Sequence, residues 1–340
     1  MNRPRAAPPP FRPEAMTNAT GLLLVNLGTP DRPDRRALKT YLREFLSDRR
    51  VIELNPWLWQ PILRGIVLNT RPAASARAYA KIWRRESDES PLRYFTRRQA
   101  EEVGARLGDD VQVAWAMRYG NPSVADTLAE MRDCDRIGIL ALYPQYSAST
   151  VASAHDAVFA ALMKTRRQPA IRTAEAWGDD PAYIDALAQS LKAHLASLDW
   201  KPEVVLASFH GLPQDYVDKG DPYAAQCKRT AELLRAAAGM DEHNLRLTFQ
   251  SRFGAAQWLT PYTDETAEEL AAEGIRKIAV ITPGFVSDCV ETLEEIGLEL
   301  ADTFREAGGT HFTIVPCLND SPAAIDMLEK RARALLSGWV

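Results

Sequence analysis

The sequence predicts an α/β fold: two similar Rossmann-like domains, each a four-stranded parallel sheet flanked by helices. Three observations carry this. Strand-like apolar runs fall at residues 21–28, 111–118, 136–144, 170–177, 204–211, 245–251, 277–285 and 311–318. Amphipathic stretches of helical period lie between most of them, for example at 96–107, 181–198, 223–238 and 263–273. Strands alternating with helices imply parallel sheets covered on both faces. Third, the strands divide into two sets of four, with a junction expected at 173–180.

The expected organisation is a disordered tail at 1–20, with Met16 as an alternative start, then a first domain at 21–175 and a second at 176–320. A terminal helix at 321–340 is expected to pack back on the first half. Residues 31–110 form a long insertion between the first two strands, about twice the matching gap in the second half. Within it, Leu54 to Leu68 carries Trp57, Trp59 and several aliphatics between prolines. Such a segment is either a core helix or an exposed greasy lip, since tryptophan favours membrane interfaces and large apolar patches mark binding surfaces.

Composition narrows the function. A hydrophobic share of 46% with 25% charged residues matches a globular chain, and a net charge of -4 argues against a nucleic-acid partner. The four cysteines, Cys134, Cys227, Cys289 and Cys317, are widely spaced without a Cys-x-x-Cys pair. That disfavours a zinc knuckle and suits a reducing, cytoplasmic setting. No strand is followed by Gly-x-Gly-x-x-Gly, and neither a Gly-x-x-x-x-Gly-Lys loop nor Gly-x-Ser-x-Gly occurs. A dehydrogenase, an ATP-driven enzyme and the common hydrolases are therefore disfavoured.

Chemistry concentrates in two segments. After the strand Val204-Val205-Leu206-Ala207 comes Ser208-Phe209-His210-Gly211-Leu212-Pro213, which sets an imidazole at a strand's carboxyl end before a glycine turn. In open α/β sheets ligands bind at that edge, and histidine exchanges protons near neutral pH or ligates transition metals. The second segment leaves its strand at Pro283-Gly284-Phe285, and Ser287 is expected to cap a helix starting near Asp288. With a period of 3.6 residues, Val290, Leu293, Ile296, Leu300 and Phe304 would form the buried stripe. Asp288, Glu291, Glu295 and Glu299 fall on another face, either a solvated acidic surface or a ladder of hard oxygen ligands leading a cation to His210.

Both segments, Ser208 to Pro213 and Pro283-Gly-Phe-Val-Ser-Asp-Cys-Val-Glu-Thr-Leu-Glu-Glu-Ile296, closely resemble signatures of ferrochelatases, which insert ferrous iron into a porphyrin. Further resemblances are Asn26-Leu27-Gly28-Thr29-Pro30, Arg118-Tyr119-Gly120-Asn121-Pro122, Tyr143-Pro144-Gln145-Tyr146-Ser147, Phe249 to Gly254 and Trp258 to Glu265. They span roughly residues 20 to 330 in the family's order.

The resemblance implies a lyase of haem biosynthesis that inserts Fe2+, as substrate, into protoporphyrin IX. Coproporphyrin with iron, a corrin precursor with cobalt, and a non-catalytic porphyrin carrier are the alternatives. It implies His210 and Glu291 as a joint catalytic pair, with Glu295 and Asp288 extending the metal path. Substrate contacts are implied for Arg118 and Tyr119, for Arg71, Tyr79 and Ser90 in the lip insertion, and for Leu27, Tyr143, Gln145 and Trp258. Arg118 suits a propionate, which arginine grips bidentately. Trp258 either stacks on the macrocycle or belongs to the core.

Leu27 stands where coproporphyrin-using relatives tend to carry tyrosine. Cys289 stands where one branch has histidine, and Ala148 where some members have an iron–sulfur cysteine. No [2Fe-2S] cluster and no prosthetic group are expected. The short ending suggests a monomer, and transient contact of the lip with the inner membrane is expected. His155 is expected to be a half-buried packing residue, and His194, His243 and His311 to be surface or loop residues.

Overall fold

The computed structural model describes residues 19–340, so the expected tail lies outside the described residues up to position 18. All eight strands form. The first sheet holds β1 (Thr20–Thr29), β2 (Val111–Gly120), β3 (Arg136–Ala141) and β4 (Ala170–Thr173), all parallel, in the order β2-β1-β3-β4. The second holds β5 (Val204–His210), β6 (Leu245–Gln250), β7 (Lys277–Ile281) and β8 (His311–Ile314) in the same order, β6-β5-β7-β8. Each chain path steps to one side of its first strand and then to the other. This places a topological switch point beside β1 and another beside β5, where crevices open beyond the carboxyl ends.

Three strands stop earlier than their apolar runs, just before Pro144, Pro283 and Pro316. Proline lacks the N–H that a sheet ladder needs, so these overruns leave the sheet as loops. Those loops carry much of the site. Beyond β4, Trp177 turns inward instead, is fully buried, and donates from its indole nitrogen to Ala141 O at 3.2 Å.

One apolar cluster runs through both halves. Leu22 and Leu24 of β1, Val205 and Ala207 of β5, and Ile325 and Leu328 of the helix Pro322–Leu335 belong to it. Ser321 caps that helix by accepting from the Ala324 N–H at 3.3 Å. The helix lies against the first half: Arg106 bonds Asp326 and Glu329, and Arg333 donates to Arg106 O at 2.9 Å. At Gly138 of β3 a Cβ would approach Leu336 to 2.8 Å, so the glycine admits this close packing.

The chain between β1 and β2 folds as helices Arg35–Leu46, Pro56–Ile62, Leu68–Ile82 and Pro91–Leu107, with a π-turn at Leu63–Val67. Asn55 caps the second helix, accepting from the Trp57 N–H at 3.0 Å. Its two tryptophans separate: Trp59 turns in and donates to Leu46 O at 2.7 Å, whereas Trp57 is 89% exposed. Leu58, Ile62 and Ile66 are also exposed, while Leu63 and Leu68 are buried. The segment is thus half anchor and half greasy lip. Among the described residues no helix is long and apolar enough to cross a membrane.

Candidate functional site

The chemistry-bearing side chains gather beyond the strand ends, and the two halves supply them jointly. At the end of β5, Gly211 donates its N–H to Gln250 O at 2.6 Å. A Cβ there would meet that oxygen at 2.7 Å and the Trp258 ring at 3.2 Å, so only glycine turns the chain here. The turn lets His210 Nδ1 reach Gly211 O at 2.7 Å. A carbonyl can only accept, so Nδ1 carries the proton and a neutral His210 keeps the Nε2 lone pair free.

After β7 the chain turns at Pro283 and Gly284, bends at Val286 and Ser287, and becomes helical at Val290. Ser287 does not cap it, because its hydroxyl accepts from Gln99 Nε2 at 3.1 Å. The start is held by Thr292, whose Oγ accepts the Cys289 N–H and donates to Asp288, both at 3.0 Å. Residues Glu291–Leu300 then form a π-helix instead of the expected α-helix. Its i→i+5 bonding rotates each turn, so the expected wheel holds only in part. Ile296, Leu300 and Phe304 are buried as expected, Val290 and Leu293 only partly, and Glu294 unexpectedly lies inside.

The carboxylates consequently have different fates. Asp288 is buried and fully engaged, accepting from Asn319 Nδ2 at 2.6 Å, Thr292 Oγ1 at 3.0 Å and the Cys317 N–H at 3.4 Å. These bonds fix the loop. Glu294 pairs with Lys81 at 2.6 Å across to the insertion. Glu295 lies within electrostatic reach of His210, and Ser251 Oγ donates to it at 2.6 Å. Burial raises its pKa; Glu291 adds to the rise, and the Ser251 bond and the nearby imidazole oppose it. Glu291 is anchored through its backbone oxygen, which accepts from Gln250 Nε2 at 2.9 Å. Its charge acts on Tyr41, Tyr79 and Cys289, whose pKa values are raised chiefly by burial and further by that neighbour.

From the first half come Tyr79, Tyr119 and Tyr143. Tyr143 is pushed up by burial, senses Tyr119, Tyr41 and Glu291, and its buried hydroxyl has no hydrogen-bond partner among the described residues. Leu27 packs against the cluster of Tyr41, Tyr79 and Tyr119. Arg118 is engaged, donating to Ser153 Oγ at 2.7 Å and to Asp48 Oδ2 at 2.5 Å. Asp48 also accepts from Tyr119 OH at 2.8 Å. Burial pushes Asp48 up, but the bonds from Ser153, the Arg50 N–H and Tyr119, with the Arg118 charge, hold it below the usual carboxylate range.

The remaining expected contact residues have varied surroundings. Ser90 is buried and caps the helix Pro91–Leu107 through Arg93 N at 3.1 Å. Gln145 is buried and ties the halves together, donating to Thr230 Oγ1 at 2.9 Å and Pro283 O at 3.3 Å. Trp258 is buried, packs on Phe253 with ring centroids 4.9 Å apart, and lies over Gly211. Arg71 sits over the Phe253 ring at 5.4 Å. His155 is half-buried beside Phe159, as expected. His194 instead bonds Thr313 Oγ1 at 2.8 Å, and His311 opens β8 beside Trp200. Among the described residues no three His, Cys, Asp or Glu side chains are close enough together to hold an ion.

Sequence reasoning assigned no role to Asp48, Tyr41, Ser251, Lys81 or Glu294. Ser251 and Glu294 lie inside the quoted motifs, which is the one signal that pointed to them. Asp48 and Lys81 reveal themselves only through partners 70 and 213 residues away.

His210 thus lies within electrostatic reach of Glu295, and the charge of Glu291 reaches Tyr41 and Tyr79 of the other half. The Ferrochelatase family profile matches residues 19–335. The chain belongs to the ferrochelatase family. It is 54% identical over 336 residues to the ferrochelatase of Rhizobium etli, covering 98% of each chain. With that of Mesorhizobium japonicum it shares 56% over 324 residues, covering 94% of this chain and 92% of the relative. Among solved structures, SirB of Bacillus subtilis with Fe3+ has the same fold at a TM-score of 0.56 and 12% identity, covering 94% and 96% of the two chains. The sirohydrochlorin chelatase SirB of subspecies spizizenii, in complex with cobalt, superimposes with a TM-score of 0.54 at 11% identity, covering 93% and 94%. The fold is therefore the two-domain chelatase fold.

Proposed function

We propose that this ferrochelatase-family chain inserts Fe2+ into protoporphyrin IX, a lyase-type metal insertion that completes haem synthesis. Family membership supports iron insertion into a porphyrin. The observation that supports the residue assignment is His210, held with Nδ1 donating to Gly211 O, within electrostatic reach of Glu295.

Insertion replaces two pyrrole protons by one divalent ion. His210 accepts the two pyrrole protons in turn at Nε2 and hands each to Glu295, whose proton affinity burial raises, before it passes to solvent. Glu291 presents carboxylate oxygen to the incoming ion, a hard ligand that also relieves the charge crowding beside Glu295 when the ion arrives. Leu27, Tyr79, Tyr119 and Tyr143 shape the apolar wall against which the macrocycle lies. Trp258 supports the His210 turn from behind. The reaction runs without an iron–sulfur cluster, Ala148 standing where some relatives carry a cluster thiolate.

The chain acts as a cytoplasmic monomer that docks its lip reversibly on the membrane. The exposed Trp57, Leu58, Ile62 and Ile66 support this, because protoporphyrin is flat, apolar and membrane-soluble.

Initial rates of metallation for protoporphyrin and coproporphyrin with iron, and for a corrin precursor with cobalt, test the substrate. Protoporphyrin is expected to react fastest. A higher kcat/KM for coproporphyrin would overturn the choice of porphyrin while leaving the family's chemistry intact.

A further inference from the structure

Beside the lip lies a depression of about 680 Å³ lined by Thr40, Arg43, Glu44, Ser47, Asp48, Arg49, Arg64 and Arg118. Of its two carboxylates, Asp48 is paired with Arg118 and also holds Tyr119 and Ser153, and Glu44 accepts the Gly120 N–H at 3.0 Å, so cationic groups outnumber anionic ones four to two in the lining. Arg118 is consumed in the same network. Arg43, Arg49 and Arg64 are exposed and have no carboxylate partner among the described residues. Three guanidiniums without an ion-pair partner among the described residues thus line one hollow in a chain whose net charge is -4.

The hollow is continuous with the greasy segment. Arg64 lies on the π-turn between the exposed Ile62 and Ile66. Trp59 donates to Leu46 O at 2.7 Å, and Gln60 reaches Ser47 Oγ at 3.5 Å, fastening the lip helix to the rim of the depression. Apolar side chains that enter a lipid surface at this edge would bring the arginines level with the headgroups. Arginine binds phosphate oxygens through paired N–H donors.

We infer that this depression holds the phosphate of an anionic membrane lipid, so that the lip docks selectively on negatively charged bilayers. The inference rests on the docking reading above and adds the partner's chemistry to it. The apolar side chains supply insertion, and the arginines supply selectivity and orientation. Each basic residue near an anionic surface strengthens binding roughly fivefold, so three give on the order of a hundredfold, weakening as salt rises.

Flotation with vesicles of phosphatidylcholine alone, and of phosphatidylcholine mixed with phosphatidylglycerol, tests this on the full chain. The wild type is expected to prefer the anionic vesicles. An Arg43→Gln, Arg49→Gln, Arg64→Gln variant should lose that preference yet keep its melting midpoint and its turnover in detergent. The corresponding triple lysine variant should retain most of it. Unchanged preference in the glutamine variant overturns the inference. So does a fall in its detergent turnover, which would assign the arginines to the porphyrin. Saturable binding of inorganic phosphate by vesicle-free protein, lost in the glutamine variant, would assign the hollow to free phosphate instead. Trp57→Ser with Leu58→Ser separates the two readings: equal binding of that variant and the wild type to neutral vesicles sinks lip docking, whereas the arginine result is read from the anionic preference alone.

Discussion

Lys81 and Glu294 form a 2.6 Å ion pair that ties the insertion to the π-helix carrying Glu291 and Glu295. Glu294 is almost wholly enclosed, while Lys81 is half exposed. Removing one partner of an enclosed pair leaves a charge without compensation, which costs more than the pair itself contributes. Lys81→Met is expected to lower the melting midpoint and slow iron insertion, and Lys81→Arg to restore both. Equal behaviour of the methionine and arginine variants would contradict a role for the charge.

His210→Ala removes the free Nε2. The rate of iron insertion is expected to fall by about two to four orders of magnitude, the usual scale of acid–base catalysis, with porphyrin still bound. Near wild-type turnover in a folded variant would refute the assignment.

Glu291→Gln keeps the volume and the anchoring Gln250 bond, which goes to the backbone oxygen. The fold should survive, and insertion should fall by about a hundredfold or more if the carboxylate handles iron or protons. A solvated acidic face would instead give unchanged activity with equal or greater stability. Thermal unfolding and metallation rates on one preparation decide between the two.

Glu295 has a folded pKa raised above its ordinary 4.5, foremost by burial. A carboxyl raised in this way favours the fold in its protonated form. That contribution is complete below the unfolded value and is lost as pH rises through the folded value. Glu295→Gln cannot ionise, so its stability relative to wild type should increase as pH is raised from acid to neutral. Denaturant unfolding across that range measures it, and a constant difference would show that Glu295 titrates normally.

The sheets were legible because buried parallel strands are continuous apolar runs, and Val204 to Ala207 or Ile278 to Ile281 hardly admit another reading. Their ends were less so, since Leu142 and Val315 continue the apolar pattern after the ladder has stopped. The π-helix has no comparable mark: an added residue per turn changes which carboxylates share a face without altering composition. The wheel therefore put Asp288 beside Glu291 and left Glu294 out, whereas Asp288 is consumed by Asn319, 31 residues away. The split fate of Trp57 and Trp59 likewise depends on where Leu46 O happens to lie.

The apolar cluster joining Leu22 and Leu24 to Val205 and Ala207 has a mechanical consequence. Swinging the two halves apart would expose a shared interior, unlike the small polar boundaries across which domains usually hinge. The pocket floor is thus a fixed frame. A flat substrate is expected to enter by displacement of the roof, which meets the far side through Tyr216 to Val51 and Lys219 to Glu53 in the stretch before the helix Pro56–Ile62, and through Lys81 to Glu294 and the packing of Val290 with Ala76 and Tyr79 along the helix Leu68–Ile82. Cutting these bonds one at a time should change how quickly porphyrin enters and haem leaves, while leaving the spacing of the proton-handling groups untouched.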